Sequence, residues 1–473
     1  MSELLFETDW VASRPLFYNE SSGAVSHAVN DVIDFAEVEF DAEGLSVYLG
    51  AGYSAFGHTP VRGVRFLPPS ARLWRDTDGR LRIEEVPLDL ETRLAQPVEE
   101  GEIIERLRAR VRRAEASTEG AVVIPTSGGY DSRLLNLMVA EPSRVRSFTF
   151  GPTCRQCDST EVVRARALSR SLGTSWERIH LEPFHTYLDQ WDDAFGPVVH
   201  AHGMYQMDFY RGVRSRLVGG ELVLSGLGGD GLAGKVDSLA TRSLSGPSDV
   251  VRLVQPGTMH ADPSASVVPH RGRLQEEYFE RHREILSSPR GRLVEAVRFR
   301  ISLTNYLLRV PGLYGFAVDA PFLDLDLATA MLSLPDERRR RRAWVTDYLR
   351  SCGADPDGIT GDSVYWLYWP VMRRQPLLPL DHELLAEIVR PDYVRWINRT
   401  VSWRGLWYEG YERLRCRRGL RRAAKLLGHL GLRQRRLEAY YAYMTLRPLE
   451  RLLQKRDAAR RGEPVSTASP RET

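Results

Sequence analysis

The sequence predicts an α/β protein in which a parallel-sheet domain follows a small, mostly β module and precedes a helical C-terminal region. Three observations carry this prediction. From residue 121 to about 235, short apolar strand patterns alternate with amphipathic helix patterns, the arrangement of a parallel sheet with crossover helices. Two Gly-rich stretches, Ser127 to Ser132 and Ser225 to Asp230, each come directly after such a strand. Ligands in open α/β sheets bind beyond the carboxyl ends of the strands, so both loops are expected to face one site. Residues 290 to about 450 are rich in Leu, Arg, Trp and Tyr, have Pro-marked breaks, and read as helical.

Taken in order, residues 1 to 95 are expected to form a β module from the runs LFYN, VIDFAEVEF, LSVYLG, VRGVRFLPP, ARLWRD and LRIEEV. Alternation and turn residues recur there without a long helical period. Residues 96–117 fit an amphipathic helix with Ile103, Ile104, Leu107 and Val111 on one side. The β-branched Val122, Val123 and Ile124 favour a strand. Ser127, Gly128 and Gly129 turn tightly, and a helix begins at Asp131 and Ser132 with Leu134, Leu135, Leu137 and Met138 on its apolar side. VRSFTFG (145–151) reads as a strand. Residues 158–173 read as a helix that starts at Asp158 or Ser159 with Glu161 and stops at Gly173. WERIHLE (176–182) and ELVLSG (221–226) are further strands. The expected domains are 1–95, 96–350 and 351–455, with a frayed polar tail at 456–473.

Composition excludes several classes. A net charge of +3 over 473 residues is too small to argue for nucleic acid or a membrane as partner. There is no apolar run of the ~18 residues a membrane helix needs. The acidic start MSELLFETDW lacks a signal-peptide core. Four cysteines make no disulfide framework, so a reducing, cytoplasmic location is expected.

A helix N-terminus behind free backbone amides is an anion site. The first loop is neither a Walker loop, since no Lys follows its glycines, nor a G-x-G-x-x-G turn. Ser127-Gly128-Gly129-Tyr130-Asp131-Ser132 instead resembles the PP-loop of ATP pyrophosphatases, S-G-G-x-D-S, at every fixed position. The helix Asp158 to Gly173, the S-G-x-G-G-D loop Ser225 to Asp230 and the segment Ala320-Pro321-Phe322-Leu323-Asp324 extend the likeness. Over residues 15 to 350 the chain resembles the synthetase domain of asparagine synthetases and their relatives, including β-lactam and peptide macrolactam synthetases. The resemblance implies adenylation of a carboxylate with ATP and Mg²⁺, release of pyrophosphate, and attack by a nitrogen nucleophile to give an amide. It implies that the first loop cradles the pyrophosphate part of ATP, that Asp131 and Asp230 hold Mg²⁺, that Phe148 to Gly151, with Phe150, lie near adenine, and that Ser225 and Gly226 lie near nucleotide and acyl group. The expected partners are a small-molecule or peptide carboxylate and an amine or ammonia, with a homodimer left open.

The chain departs from the family pattern at several positions. Ser2 stands where glutamine-hydrolysing members have a nucleophilic Cys, and a hydroxyl is the far weaker nucleophile. The likeness begins near the family's R-P-L-x-Y turn, matched by Arg14 to Tyr18, so the module is expected to be a remnant of a glutaminase domain without glutamine hydrolysis. Gly231 stands where the second loop usually carries Glu. Beyond Asp324 the family's Lys is missing from Glu337 to Val345, and Arg342 is the candidate replacement. Arg133 departs from the commoner SGGxDSS form. Two other readings stay open: a PP-loop tRNA-modifying or sulfur-transfer enzyme, suggested by Cys154-x-x-Cys157, and a degenerate nucleotide-binding partner protein. His200 and His202, with His180 and His185 nearby, lack the acidic i,i+4 partner of a metal site. The Arg-rich stretch Arg413 to Arg436 reads as a solvated helix face, and Tyr440, Tyr441 and Tyr443 as packing residues.

Overall fold

A computed structural model describes residues 3–153, 155–235, 243–254, 259–355, 358–361, 371, 375–402 and 432–465. At its centre is a five-stranded sheet formed by β7 (Val122–Pro125), β8 (Val145–Thr149), β9 (Ser175–Arg178), β10 (Leu222–Leu224) and β11 (Ala317–Asp319). The strand order is β11-β10-β7-β8-β9 and every pairing is parallel. The predicted α/β class is correct. The order reverses between β7 and β10, which places the topological switch point, where such sheets bind ligands, between the two Gly-rich loops.

The sheet is buried on both faces, as the unbroken apolar runs of its strands require. Val122, Ile124, Leu222 and Leu224 feed one core with α3 (Glu100–Glu115) and α4 (Tyr130–Met138). Val123, Phe148 and Val223 feed the other, together with α6 (Leu188–Phe195) and α7 (Tyr205–Arg214). That second core also takes in Leu45 and Tyr48 from the N-terminal segment and Tyr440 and Tyr443 from the long helix Leu432–Arg460. Both tyrosines are buried, as expected for packing residues. The helix α5 (Thr160–Leu172) starts and stops where the sequence says: Ser159 Oγ accepts from the Val162 amide, and Gly173 adopts φ 66°.

The N-terminal module is less purely β than expected. Two three-stranded sheets form, from β1 (Glu3–Glu7), β5 (Ala71–Arg75) and β6 (Leu81–Glu85), and from β2 (Phe17–Asn19), β3 (Val25–Ser26) and β4 (Val64–Phe66). LSVYLG is not a strand; it lies in α1 (Ala42–Ala51). Asp41 caps this helix by accepting from the Gly44 amide at 2.8 Å, and Gly52 ends it at φ 78°. Those local caps outweigh β propensity. VIDFAEVEF is not a strand either. The Asp34 side chain accepts from the Ala36 amide, an Asx turn that breaks the run, while Val32, Phe35 and Val38 still reach a small core.

Two corrections apply toward the C-terminus. The region read as helical contains β11, a three-residue strand too short to show alternation. The polar tail begins later than 456: the helix runs on to Arg460, with Lys455 on Asp193 at 2.8 Å and Arg456 on Glu387 at 2.7 Å. Among the described residues no helix is long and apolar enough to cross a membrane.

Candidate active site

The first loop leaves β7 and turns into α4. Gly128 sits at φ 69°, and a Cβ there would lie 2.4 Å from the Arg164 Cβ, so only glycine fits both the left-handed backbone and the close approach. Ser127 Oγ accepts from the Gly129 amide at 3.2 Å. Arg133 has a structural role. Its buried guanidinium donates to the Gly128 carbonyl at 3.0 Å and to the Ala354 carbonyl at 2.8 Å, bracing the loop from below. The first-turn amides of α4 are thereby fixed at the loop mouth, where the positive end of the helix dipole favours anions.

The second loop leaves β10 next door, and the Ser225 amide donates to Asp319 O of β11 at 2.8 Å. It folds onto the first loop. A Cβ at Gly229 would lie 2.8 Å from the Asp131 Cγ, and one at Gly226 would lie 3.2 Å from the Asp131 Cβ. These glycines let the backbone of one loop cover the carboxylate of the other. Asp131 and Asp230 therefore face a common cleft of about 430 Å³, which Ser127, Ser132, Phe150, Ser225 and Gly226 also line. The predicted Gly128, Gly129 and Tyr130 are not among its lining residues. Phe150 belongs to an aromatic wall, its ring 5.5 Å from those of both Tyr205 and Phe209.

The two carboxylates differ electrically. Burial, and then the charge of Asp230, push Asp131 up to about 7, against the opposing pull of Arg342 and Lys235. Burial would also raise Asp230, but Lys235 at 2.8 Å and the nearby Arg300 hold it below the ordinary carboxylate value. Arg342 lies outside the cleft lining. Its guanidinium stacks 4.2 Å over the Tyr130 ring. It is carried there by two consecutive left-handed residues, Arg341 at φ 54° and Arg342 at φ 59°. Non-glycine residues in this region are strained, and such strain clusters at functional sites.

Sequence reasoning missed Lys235, Arg300 and the wall residues Tyr205, Phe209 and Tyr210. Lys235 had a signal, since it follows Asp230 by five residues in the same Gly-rich stretch. Arg300 had none, because it arrives from the helix Pro289–Thr304, seventy residues beyond the second loop. The other sequence candidates do not join the site. Cys157 is exposed with a free thiol, and its partner Cys154 lies outside the described residues. His200 and His202 are buried with ring centroids 5.7 Å apart, and burial pushes both below the usual imidazole range, as for neutral packing histidines. Among the described residues no group of three His, Cys, Asp or Glu could hold a metal ion. Ser2 and most of Arg413 to Arg436 lie outside the described residues; Arg436 is buried and donates to the Val401 carbonyl.

Fold and cleft together define an α/β architecture with paired Gly-rich loops at a sheet switch point. The asparagine synthase family model matches residues 102–359, more than half of the chain, and the protein belongs to that family of ATP-dependent amide-forming ligases. No curated protein matches the chain.

Proposed function

We propose that the protein adenylates a carboxylate with ATP and passes the acyl group to an amine or ammonia. The carrying observation is the convergence of Asp131 and Asp230, from loops at the ends of adjacent strands, on one cleft beside a braced helix N-terminus. The donor set fits Mg²⁺. Two carboxylates without His or Cys suit a hard cation that takes its remaining oxygens from phosphates and water. Asp131 and Asp230 would hold it, and when bound it neutralises charge on the nucleotide phosphates.

The protein's own groups account for the rest. The amides of the first turn of α4 bind the β- and γ-phosphates. The aromatic wall at Phe150 takes the adenine. Ser225 and Gly226 hold the acyl group beside the α-phosphate. A carboxylate oxygen of the substrate attacks the α-phosphorus as the bond to the bridging oxygen breaks and pyrophosphate leaves. The amine nitrogen then attacks the acyl carbon, AMP departs, and the nitrogen loses a proton. Arg342, fixed over Tyr130, supplies positive charge near Asp131.

ATP–pyrophosphate exchange across a panel of amino acids and peptides tests this reading. Exchange is expected with at least one carboxylate and is lost on Asp131→Ala. ATP binding without exchange for any substrate would overturn it in favour of a non-catalytic nucleotide-binding partner.

A further inference from the structure

The family likeness places a lysine beyond Asp324, where this chain has only arginines, yet the site does contain an ammonium. Gly231–Lys235 forms a wide, π-type turn directly after Asp230. Gly234 adopts φ 119°, and a Cβ there would lie 2.1 Å from the Arg339 carbonyl oxygen, so the turn lies flat on the Arg339 backbone and admits only glycine. The Arg339 guanidinium is fully buried and donates to the Leu232 carbonyl at 2.6 Å and the Met331 carbonyl at 2.7 Å. Trp344 Nε1 donates to the Ala233 carbonyl at 3.3 Å. Together these contacts fix the point from which the Lys235 side chain leaves the backbone.

The result of this bracing is one ion pair: Lys235 Nζ lies 2.8 Å from Asp230 Oδ2, with the lysine side chain 55% exposed. With its lysine end open to water the ion pair itself contributes little to stability, and what the braced turn fixes is the position of the ammonium. Lys235 does not itself line the cleft, but its ammonium sits on Asp230, which does, and its charge also acts on Asp131. Of the cations near the cleft, Arg342 is stacked on Tyr130 and Arg300 lines the cleft as a planar guanidinium, whereas the lysine is a compact charge on a flexible stem that can exchange one anion for another.

We propose that Lys235 is a phosphate-binding ammonium of this site: it neutralises Asp230 while the cleft is empty and turns to the β- and γ-phosphates of ATP, and then to pyrophosphate, when they bind. This rests on the ATP-binding part of the adenylation reading, and it adds a residue that the family pattern does not place here.

Calorimetric titration of the full chain with ATP, pyrophosphate and AMP, each with Mg²⁺, tests it. Lys235→Ala is expected to weaken ATP and pyrophosphate at least about tenfold, the scale of one charge-assisted hydrogen bond, and to leave AMP within about twofold. Lys235→Arg is expected to recover most of the loss. Unchanged ATP and pyrophosphate affinity in Lys235→Ala would overturn the assignment. So would an equal loss for AMP, which marks a collapsed loop, or a wild-type chain that binds neither ATP nor pyrophosphate. Wild-type binding without exchange would instead defeat the adenylation reading and leave the lysine assignment standing.

Discussion

The two Gly-rich loops are built alike and charged differently. Each follows a buried strand, each presents one aspartate to the cleft, and each is braced by a buried arginine that donates to loop carbonyls: Arg133 under the first, Arg339 under the second. In the first loop Asp131 has no ion-pair partner within salt-bridge distance among the described residues, and its acidity is weakened. In the second, Asp230 holds Lys235 and stays a carboxylate. A pair of like charges is thus divided into one readily ionised and one reluctant member, the usual way two neighbouring carboxyl groups take different roles. The reluctant one lies in the first turn of α4, the helix N-terminus proposed above to take phosphate, where a bound cation would favour its ionised form.

Backbone demands separate the loops most sharply. Gly128→Ala would combine a left-handed φ with a 2.4 Å clash, and a loss of exchange activity of about a thousandfold is expected, whereas Gly129→Ala, whose Cβ meets only the Ser127 hydroxyl at 3.1 Å, is expected to cost about tenfold. Equal effects would show that the first loop is not held in the shape described. The braces come next. Arg133→Met and Arg339→Met each leave at least two carbonyls without their donor, and each is expected to lower stability by about 2–4 kcal/mol in denaturant titrations. A much smaller loss at Arg133 would mean that only the second loop depends on a buried guanidinium.

The electrical difference has a pH signature. Asp131 has a raised folded-state value, so its contribution favours the fold at low pH and is lost as pH rises from the unfolded value near 4 through about 7. Asp131→Asn should therefore stabilise the ligand-free protein at pH 8 relative to pH 5, by about 1–3 kcal/mol. Asp230, lowered by Lys235, has the opposite sign: its contribution is present above the unfolded value and fades as pH falls, so Asp230→Asn should not stabilise at pH 8. Melting curves of the two variants at both pH values check this. Buried Asp192, also pushed up to about 7 by burial, gives the wild type a similar trend, so the difference between variants is the informative quantity. The smallest effect is expected at Trp344→Phe, which removes one hydrogen bond to the Ala233 carbonyl and should cost about 1 kcal/mol.

Much of this was legible in the sequence, because it rests on local rules. The strands at Val122 and Leu222, the helix from Ser159 to Gly173 and both Gly-rich loops follow from apolar runs, caps and glycines acting within a few residues. The strand expectations at LSVYLG and VIDFAEVEF failed for an equally local reason: Asp41 and Asp34 offer the backbone side-chain hydrogen bonds that β propensity does not register. β11 was missed because three residues show no period, and its place is set by pairing with β10.

Ser127 to Ser132 has therefore gained definition from its surroundings. The sequence alone determined a Gly-rich turn between a strand and the head of a helix, because glycines, an apolar run and an N-terminal Asp suffice for that. Only the tertiary structure decided what the loop works with. It laid Gly226 and Gly229 against Asp131, carried Arg300 and Arg342 in from distant helices, and set Lys235 on Asp230. Packing between remote segments fixes those contacts, and no periodicity along the chain encodes the distance between two charges.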